Sequence, residues 1–245
     1  MTLSGVRPDK VVLLAAGMGT RLGALGGGLP KALFEVAGRT LLDRALDFAE
    51  ELGAAERIVV GGFRFDLVAA HLAEHPRAGL RLLENPDYRL GNLRTLTVAL
   101  PSVDGAFHLM NIDHIYPAAV AARILGLPGE DITAMVDHDR SLGDDDMKVK
   151  LDGQGHVAAI AKTLTDFDVG YVGMTYVPAQ HLERYRAAVA ETGRTRGDAA
   201  NVEGVLQTLA DARHPVAVGD ISGIGWHEVD NAEDLARYLA STRPA

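Results

Sequence analysis

Apolar residues come in short blocks along this chain, and the blocks switch between two periods. Lys10 to Ala15 carries the unbroken run Val11, Val12, Leu13 and Leu14, which predicts a strand buried on both faces. After Thr40, the residues Leu42, Ala45, Leu46, Ala49 and Leu52 recur at helical spacing until Gly53 stops them. Thr40 with Asp43 three places on supplies the start signal of that helix. Strand "RIVVGG", helix "FDLVAAHLAEH", strand "LRLLEN", helix "LRTLTVAL" and strand "AFHLMNID" follow in turn. This alternation predicts an α/β protein with a mostly parallel central sheet and helices on both faces.

Past strand "DITAMVD" the rhythm breaks. "MKVKLDGQGHVAAIAK" sets a Gly-rich turn between two strand-like runs and predicts a β-hairpin insertion. "DVGYVGMTYV", two helical stretches, strand "GWHEV" and a last helix capped by Asn231 complete the pattern. No Pro- or Ser-rich linker divides the 245 residues, so residues 1–245 read as one domain with a substantial core.

Charge changes this picture. A formal net charge of −9 gives no electrostatic footprint for nucleic acid or an anionic membrane, so anionic ligands must be held locally, by loops or through metal ions. With no cysteine, disulfides, thiol catalysis and Cys-based zinc sites are excluded, in agreement with a cytoplasmic protein. "MTLSGVRPDK" has no apolar leader core, and no apolar stretch approaches membrane-spanning length.

The first strand opens into a glycine-rich loop. Gly17, Gly19, Gly23 and Gly26 to Gly28 let a ligand approach the backbone N–H groups, while Arg21 offers a planar fork and Lys31 a mobile point charge. That is an anion-binding loop, the plain alternative being a surface turn with two solvated cations. The dinucleotide fingerprint fails because Leu22 stands where its third glycine belongs, and Gly61 and Gly62 end the second strand where a ribose-binding acid is needed. A P-loop fails because Lys31 lies between Pro30 and Ala32. Asp113 closes "FHLMNID" and Asp230 closes "GWHEVD", so two carboxylates at strand ends face the crevice used for ligands in open α/β sheets. Together they suit Mg²⁺; singly, each suits a helix N-cap. "HLAEH" spells an inverted zinc-protease motif on a short helix ending at Pro76, without a third ligand, and "DDDMK" at 144–148 reads as a solvated turn.

These residues carry a resemblance. "LLAAGMGTRLG" followed by "LPKAL" resembles the signature of the sugar-phosphate nucleotidylyltransferase superfamily, and "MNIDH", "IAKTL" and "GWHEVDNAEDL" extend the likeness over nearly the whole chain. "ENPDYRLGNLRTL" is most similar to the corresponding segment of inositol-1-phosphate and phosphocholine cytidylyltransferases. The resemblance implies a Rossmann-like nucleotidyltransferase fold and transfer of CMP from CTP to a small phosphorylated alcohol; with aromatics at 5%, the candidates for a trimethylammonium cage are Phe167, Tyr171, Tyr176 and Trp226, too few to place around one point, which favours inositol phosphate over phosphocholine. UTP, GTP or dTTP with a sugar phosphate, a phosphonate acceptor, or a non-catalytic nucleotide-binding module stay open, and so does a homodimer. It further implies that Arg21 and Lys31 grip the triphosphate as catalytic cations, and that Ala15, Ala16, Gly17, Gly19 and Thr20, with Asn92 and Thr95, meet the nucleotide. Asp113 and Asp230 would hold Mg²⁺, and Lys162 would hold the acceptor phosphate with Asp168 and Gly170 beside it. "FDVG" puts Val169 where relatives carry a hydroxyl, which points to a different acceptor contact there.

Overall fold

A computed structural model describes residues 5–242. In chain order its first half contains β1 (Lys10–Ala15), β2 (Glu35–Val36), β3 (Arg39–Thr40), α1 (Leu41–Glu51), β4 (Glu56–Gly61), α2 (Phe65–Glu74), β5 (Leu80–Glu84), α3 (Asn92–Ala99), β6 (Phe107–Asn111), β7 (His114–Ile115) and α4 (Ala118–Leu125). The second half contains β8 (Thr133–Asp137), β9 (Lys148–Leu151), β10 (Val157–Ala161), β11 (Val169–Val177), α5 (Leu182–Arg196), α6 (Glu203–Asp211), β12 (Ala217–Asp220), β13 (His227–Glu228) and α7 (Ala232–Ser241).

The apolar run of β1 places it inside the sheet. It pairs in parallel with β4 and β6, Val12 lying opposite Ile58 on one side and Leu109 on the other. Successive side chains then serve opposite layers. Val11, Leu13 and Ala15 pack with Leu42, Leu46, Val68 and Ile124, from α1, α2 and α4, while Val12 and Leu14 pack with Leu96, Tyr185 and Leu206, from α3, α5 and α6. The main sheet has nine strands, with β10-β9-β11-β6-β1-β4-β5 as its path and β8 and β12 joined through β11. Every strand in it runs parallel to β1 except β10 and β11. The mostly parallel sheet with helices on both faces is therefore present, and β9–β10 is the expected hairpin.

Three details depart from the sequence reading. β11 is antiparallel to β6, because the chain returns to it from the hairpin rather than through a helical crossover. Helix α4 and strand β12 are additional elements, too short to announce themselves by periodicity. "GWHEV" does not join the central sheet; only His227 and Glu228 are extended, in an antiparallel ribbon with β7. Local signals hold at both predicted caps. Thr40 Oγ1 accepts from the Asp43 N–H at 3.0 Å, and Asn231 Oδ1 accepts from the N–H groups of Glu233 and Asp234 in a capping box. No helix among the described residues is long and apolar enough to cross a membrane.

Candidate active site

At the carboxyl ends of β1 and β6 two cavities meet. One, about 240 Å³, is lined by Ala16, Gly17, Lys31, Tyr88 and Thr95; the other, about 260 Å³, by His114, Lys162, Tyr171, Glu203 and Trp226. Arg21, Asn92, Asn111, Asp113 and Asp230 line both, so they form the wall between them. A ligand in each cavity would meet its neighbour at that wall.

The glycine-rich loop borders the first cavity. Its chain is folded back on itself, the Lys31 N–H donating to the Gly17 carbonyl at 3.2 Å and the Leu22 N–H to that of Gly19 at 3.0 Å. A Cβ at Gly17 would meet nothing within 4 Å, so the missing side chain keeps the cavity open there. The fold-back carries both predicted cations to the wall. Lys31 Nζ lies 2.7 Å from Asp113 Oδ2 and also bonds Asp230, while Arg21 reaches Asp230 Oδ2 at 2.7 Å and Asp145 Oδ2 at 3.2 Å.

The β7–β13 ribbon brings the two aspartates together. Glu228 pairs with His114, and the Val229 N–H donates to the Asp113 carbonyl at 2.9 Å, so Asp113 sits beside the segment Glu228 to Asp230. One oxygen each from Asp113, Glu228 and Asp230 lie within 4.8 Å of one another. Three hard oxygen donors at that spacing, partly or wholly buried, fit a divalent cation such as Mg²⁺. Glu228 is the member that strand-end reasoning missed. Its signal was there in the sequence, because residues two apart on an extended segment point the same way. Behind Asp113, His114 Nδ1 lies 2.5 Å from Asp113 Oδ1, and its ring stacks on Trp226 at 5.1 Å. Burial opposes a charge on Asp113, but the Lys31 ammonium and the His114 ring outweigh it and hold the carboxyl well below the usual carboxylate range. His114 is raised for the reciprocal reason: burial disfavours its cation, and the Asp113 carboxylate more than compensates.

The remaining expected residues divide. Ala16, Gly17, Asn92 and Thr95 line the first cavity, whereas Ala15 is buried at the end of β1 and is absent from either lining. At Gly19, φ +65°, a Cβ would come 3.2 Å from Lys31 Cβ, and Thr20 is exposed. Asn92 is not the cap of its own helix: its Oδ1 accepts from the Val202 N–H at 2.9 Å, tying α3 to the start of α6. Lys162 follows β10, lines the second cavity and lies 3.5 Å from Asp145. Asp168 and Gly170 are not brought there. The Asp168 carboxylate accepts from the Leu151 N–H at 2.8 Å and faces Lys150 across the hairpin, and Gly170 packs against Leu142. From β11 it is Tyr171 and Gly173 that reach the cavity. Gly173 has φ +71°, and a Cβ there would come 2.7 Å from the His114 ring, so glycine is required for the close approach.

Two motifs left aside earlier resolve differently. His71 hydrogen-bonds Asp43 at 3.1 Å and its ring lies 4.6 Å from that of His75 in a tilted pair, so "HLAEH" is a helix-face cluster. Asp145 of "DDDMK" is exposed, yet it spans the site as partner of both Arg21 and Lys162.

The MobA-like NTP transferase domain profile matches residues 11–216. The "Bifunctional IPC transferase and DIPP synthase" of Rubrobacter xylanophilus is 31% identical over 226 residues, which cover 91% of this chain and 49% of that protein. The chain spans about half the length of the curated relatives of that description. Among solved structures, the inositol-1-phosphate CTP transferase from T. maritima superposes with a TM-score of 0.80 at 18% identity, covering 97% of this chain and 98% of that one. The CTP:phosphocholine cytidylyltransferase from Streptococcus pneumoniae superposes with a TM-score of 0.73 at 19% identity, over 97% of this chain and 100% of that one. These likenesses establish the nucleotidyltransferase fold.

Proposed function

The chain belongs to the MobA-like NTP transferase family, and from that premise we propose that it transfers CMP from CTP to a small phosphorylated alcohol of the inositol-1-phosphate kind. The observation that carries this reading is the pair of cavities sharing a wall of Arg21, Asp113 and Asp230. The relatives named for IPC transfer and for inositol-1-phosphate or phosphocholine cytidylyl transfer support CTP as the donor.

In this reading an oxygen of the acceptor phosphate attacks the α-phosphorus of CTP, a new P–O bond forms, and the bond to the β-phosphate bridging oxygen breaks with pyrophosphate as leaving group. The residues contribute position and charge rather than covalent chemistry. Ala16, Gly17 and Thr95 hold base and ribose in the first cavity, with Asn92 on the wall shared with the second. Arg21 and Lys31 are fixed cations beside the triphosphate, countering charge as it moves to pyrophosphate. Lys162 holds the acceptor phosphate from the far side. Asp113, Asp230 and Glu228 would hold a divalent cation such as Mg²⁺, which would supply positive charge against the repulsion of two phosphates. His114 keeps the Asp113 carboxylate oriented through its Nδ1 contact.

The test is a matrix of CTP, UTP, GTP and dTTP against inositol-1-phosphate, phosphocholine and a hexose 1-phosphate, read as pyrophosphate release with Mg²⁺. CTP with inositol-1-phosphate is expected to lead by at least tenfold. A lead by UTP or dTTP with the hexose phosphate would replace this reading with that of a nucleotide-sugar synthase.

A further inference from the structure

Glu203 has no role in the scheme above. It is the first residue of α6, only 8% exposed, and it lines the acceptor-side cavity. A glutamate in the first turn of a helix is common, but there it is normally solvated. This one makes no hydrogen bond or ion pair with another side chain among the described residues, so beyond the bond with its own N–H its acceptor capacity faces the cavity. Burial pushes it above the ordinary glutamate value, opposed by its own N–H and by Lys162.

Its surroundings narrow what it meets. Asn201 Oδ1 accepts from the Gly204 N–H at 3.0 Å, and Asn92 Oδ1 from the Val202 N–H at 2.9 Å. Each amide is thereby fixed in orientation, and its NH₂ has no partner among the described residues. The cavity wall near Glu203 therefore offers donors from Asn92 and Asn201, with one carboxyl as acceptor. Hydroxyl groups, which both donate and accept, complement that mixture. An ammonium group would be met by the carboxyl alone and would leave the two NH₂ groups facing a cation that accepts nothing from them. A quaternary ammonium would also need open aromatic faces, whereas the Trp226 ring is already stacked on His114 and carries the Arg140 guanidinium at 4.9 Å.

We propose that Glu203, flanked by the amides of Asn92 and Asn201, binds hydroxyl groups of the acceptor and so selects a polyol phosphate over an ammonium-bearing one. The assignment rests on the CTP-dependent reading above. It is tested with wild type, Glu203→Gln and Glu203→Ala on inositol-1-phosphate, its monodeoxy analogues and phosphocholine, with CTP affinity measured separately in the absence of acceptor. Wild type should lose about 10- to 100-fold in kcat/KM when one particular hydroxyl is missing. Glu203→Gln should lose at least tenfold on inositol-1-phosphate, mainly in KM, lose less than threefold more on that analogue, and bind CTP like wild type. Glu203→Ala should repeat that pattern. An unchanged acceptor KM in both variants, additive losses on every analogue, a parallel loss of CTP affinity, or preference of wild type for phosphocholine would each overturn the assignment. Absence of CMP transfer to any of these acceptors by wild type overturns the cytidylyl reading with it; transfer to phosphocholine alone, or transfer that the variants leave unaltered, overturns the assignment alone.

Discussion

The two halves of the site are built in contrasting ways. On the proposed nucleotide side, two stretches, from the end of β1 to Lys31 and from Tyr88 to Thr95, supply most of the lining beside the shared wall; the first is closed by the bond from the Lys31 N–H to the Gly17 carbonyl, and its cations are pinned by carboxylates. The acceptor side is assembled from separate places: Asn111 and His114, the loop around Asp145, Lys162, Asn201 and Glu203, and Trp226. There Lys162 is 44% exposed with one loose partner, and the Glu203 carboxyl bonds no other side chain among the described residues. A loop closed on itself by backbone hydrogen bonds moves as a unit. A wall made from many segments can change one contact at a time, which makes the acceptor half the place where specificity is adjustable.

The strongest test of this division strikes the shared wall. Asp113→Asn should lower CMP transfer by about 10³ or more, and chelation with EDTA should abolish it until Mg²⁺ or Mn²⁺ is restored, because both halves depend on that carboxylate. Undiminished pyrophosphate release in either case would remove the seam. Next in size is Arg21→Ala, expected to cost about 10² in kcat with little change in acceptor KM. Equal losses in kcat and in acceptor binding would mean that Arg21 serves both cavities, as its position on the wall allows. Lys162→Ala should raise acceptor KM by about tenfold while CTP affinity without acceptor stays within twofold, as read by calorimetry; a drop in CTP affinity would move Lys162 to the nucleotide half. The smallest effect belongs to Asp145. It lies 3.2 Å from Arg21 and 3.5 Å from Lys162, one cation from each half, but it is 81% exposed. Exposed pairs are weak and screened, so Asp145→Asn should tighten binding of both substrates by about two- to fivefold at low salt and by less at high salt. Tightening of one substrate alone would show that Asp145 competes in a single cavity.

The same contrast explains what the sequence disclosed. The β1 block, the glycine pattern with Arg21 and Lys31, and the caps at Thr40 and Asn231 are local signals, and each has its structural counterpart. Asp113 and Asp230 were legible as carboxylates after extended segments, although Asp230 follows a two-residue ribbon rather than a strand of the main sheet. The acceptor side was less legible because its order is tertiary. Nothing near Glu203 or Asn201 in the chain tells that α6 begins over the cavity, and Asp168 looks like a site residue until the hairpin register gives its carboxylate to the Leu151 N–H. The reversal of β11 was hidden too, since strand direction follows from the connection and not from apolar periodicity.

Trp226 is the single tryptophan of the chain, and it lines the acceptor cavity but not the nucleotide one. Its indole N–H donates to Asp137 Oδ2 at 2.6 Å, and its ring lies against His114, itself the partner of Asp113. The protein thus carries a built-in optical probe with no competing indole. Its emission is expected to respond directly to whatever fills the second cavity and indirectly, across the shared wall, to whatever fills the first, so the order in which two substrates arrive can be followed by light, before any bond is made or broken.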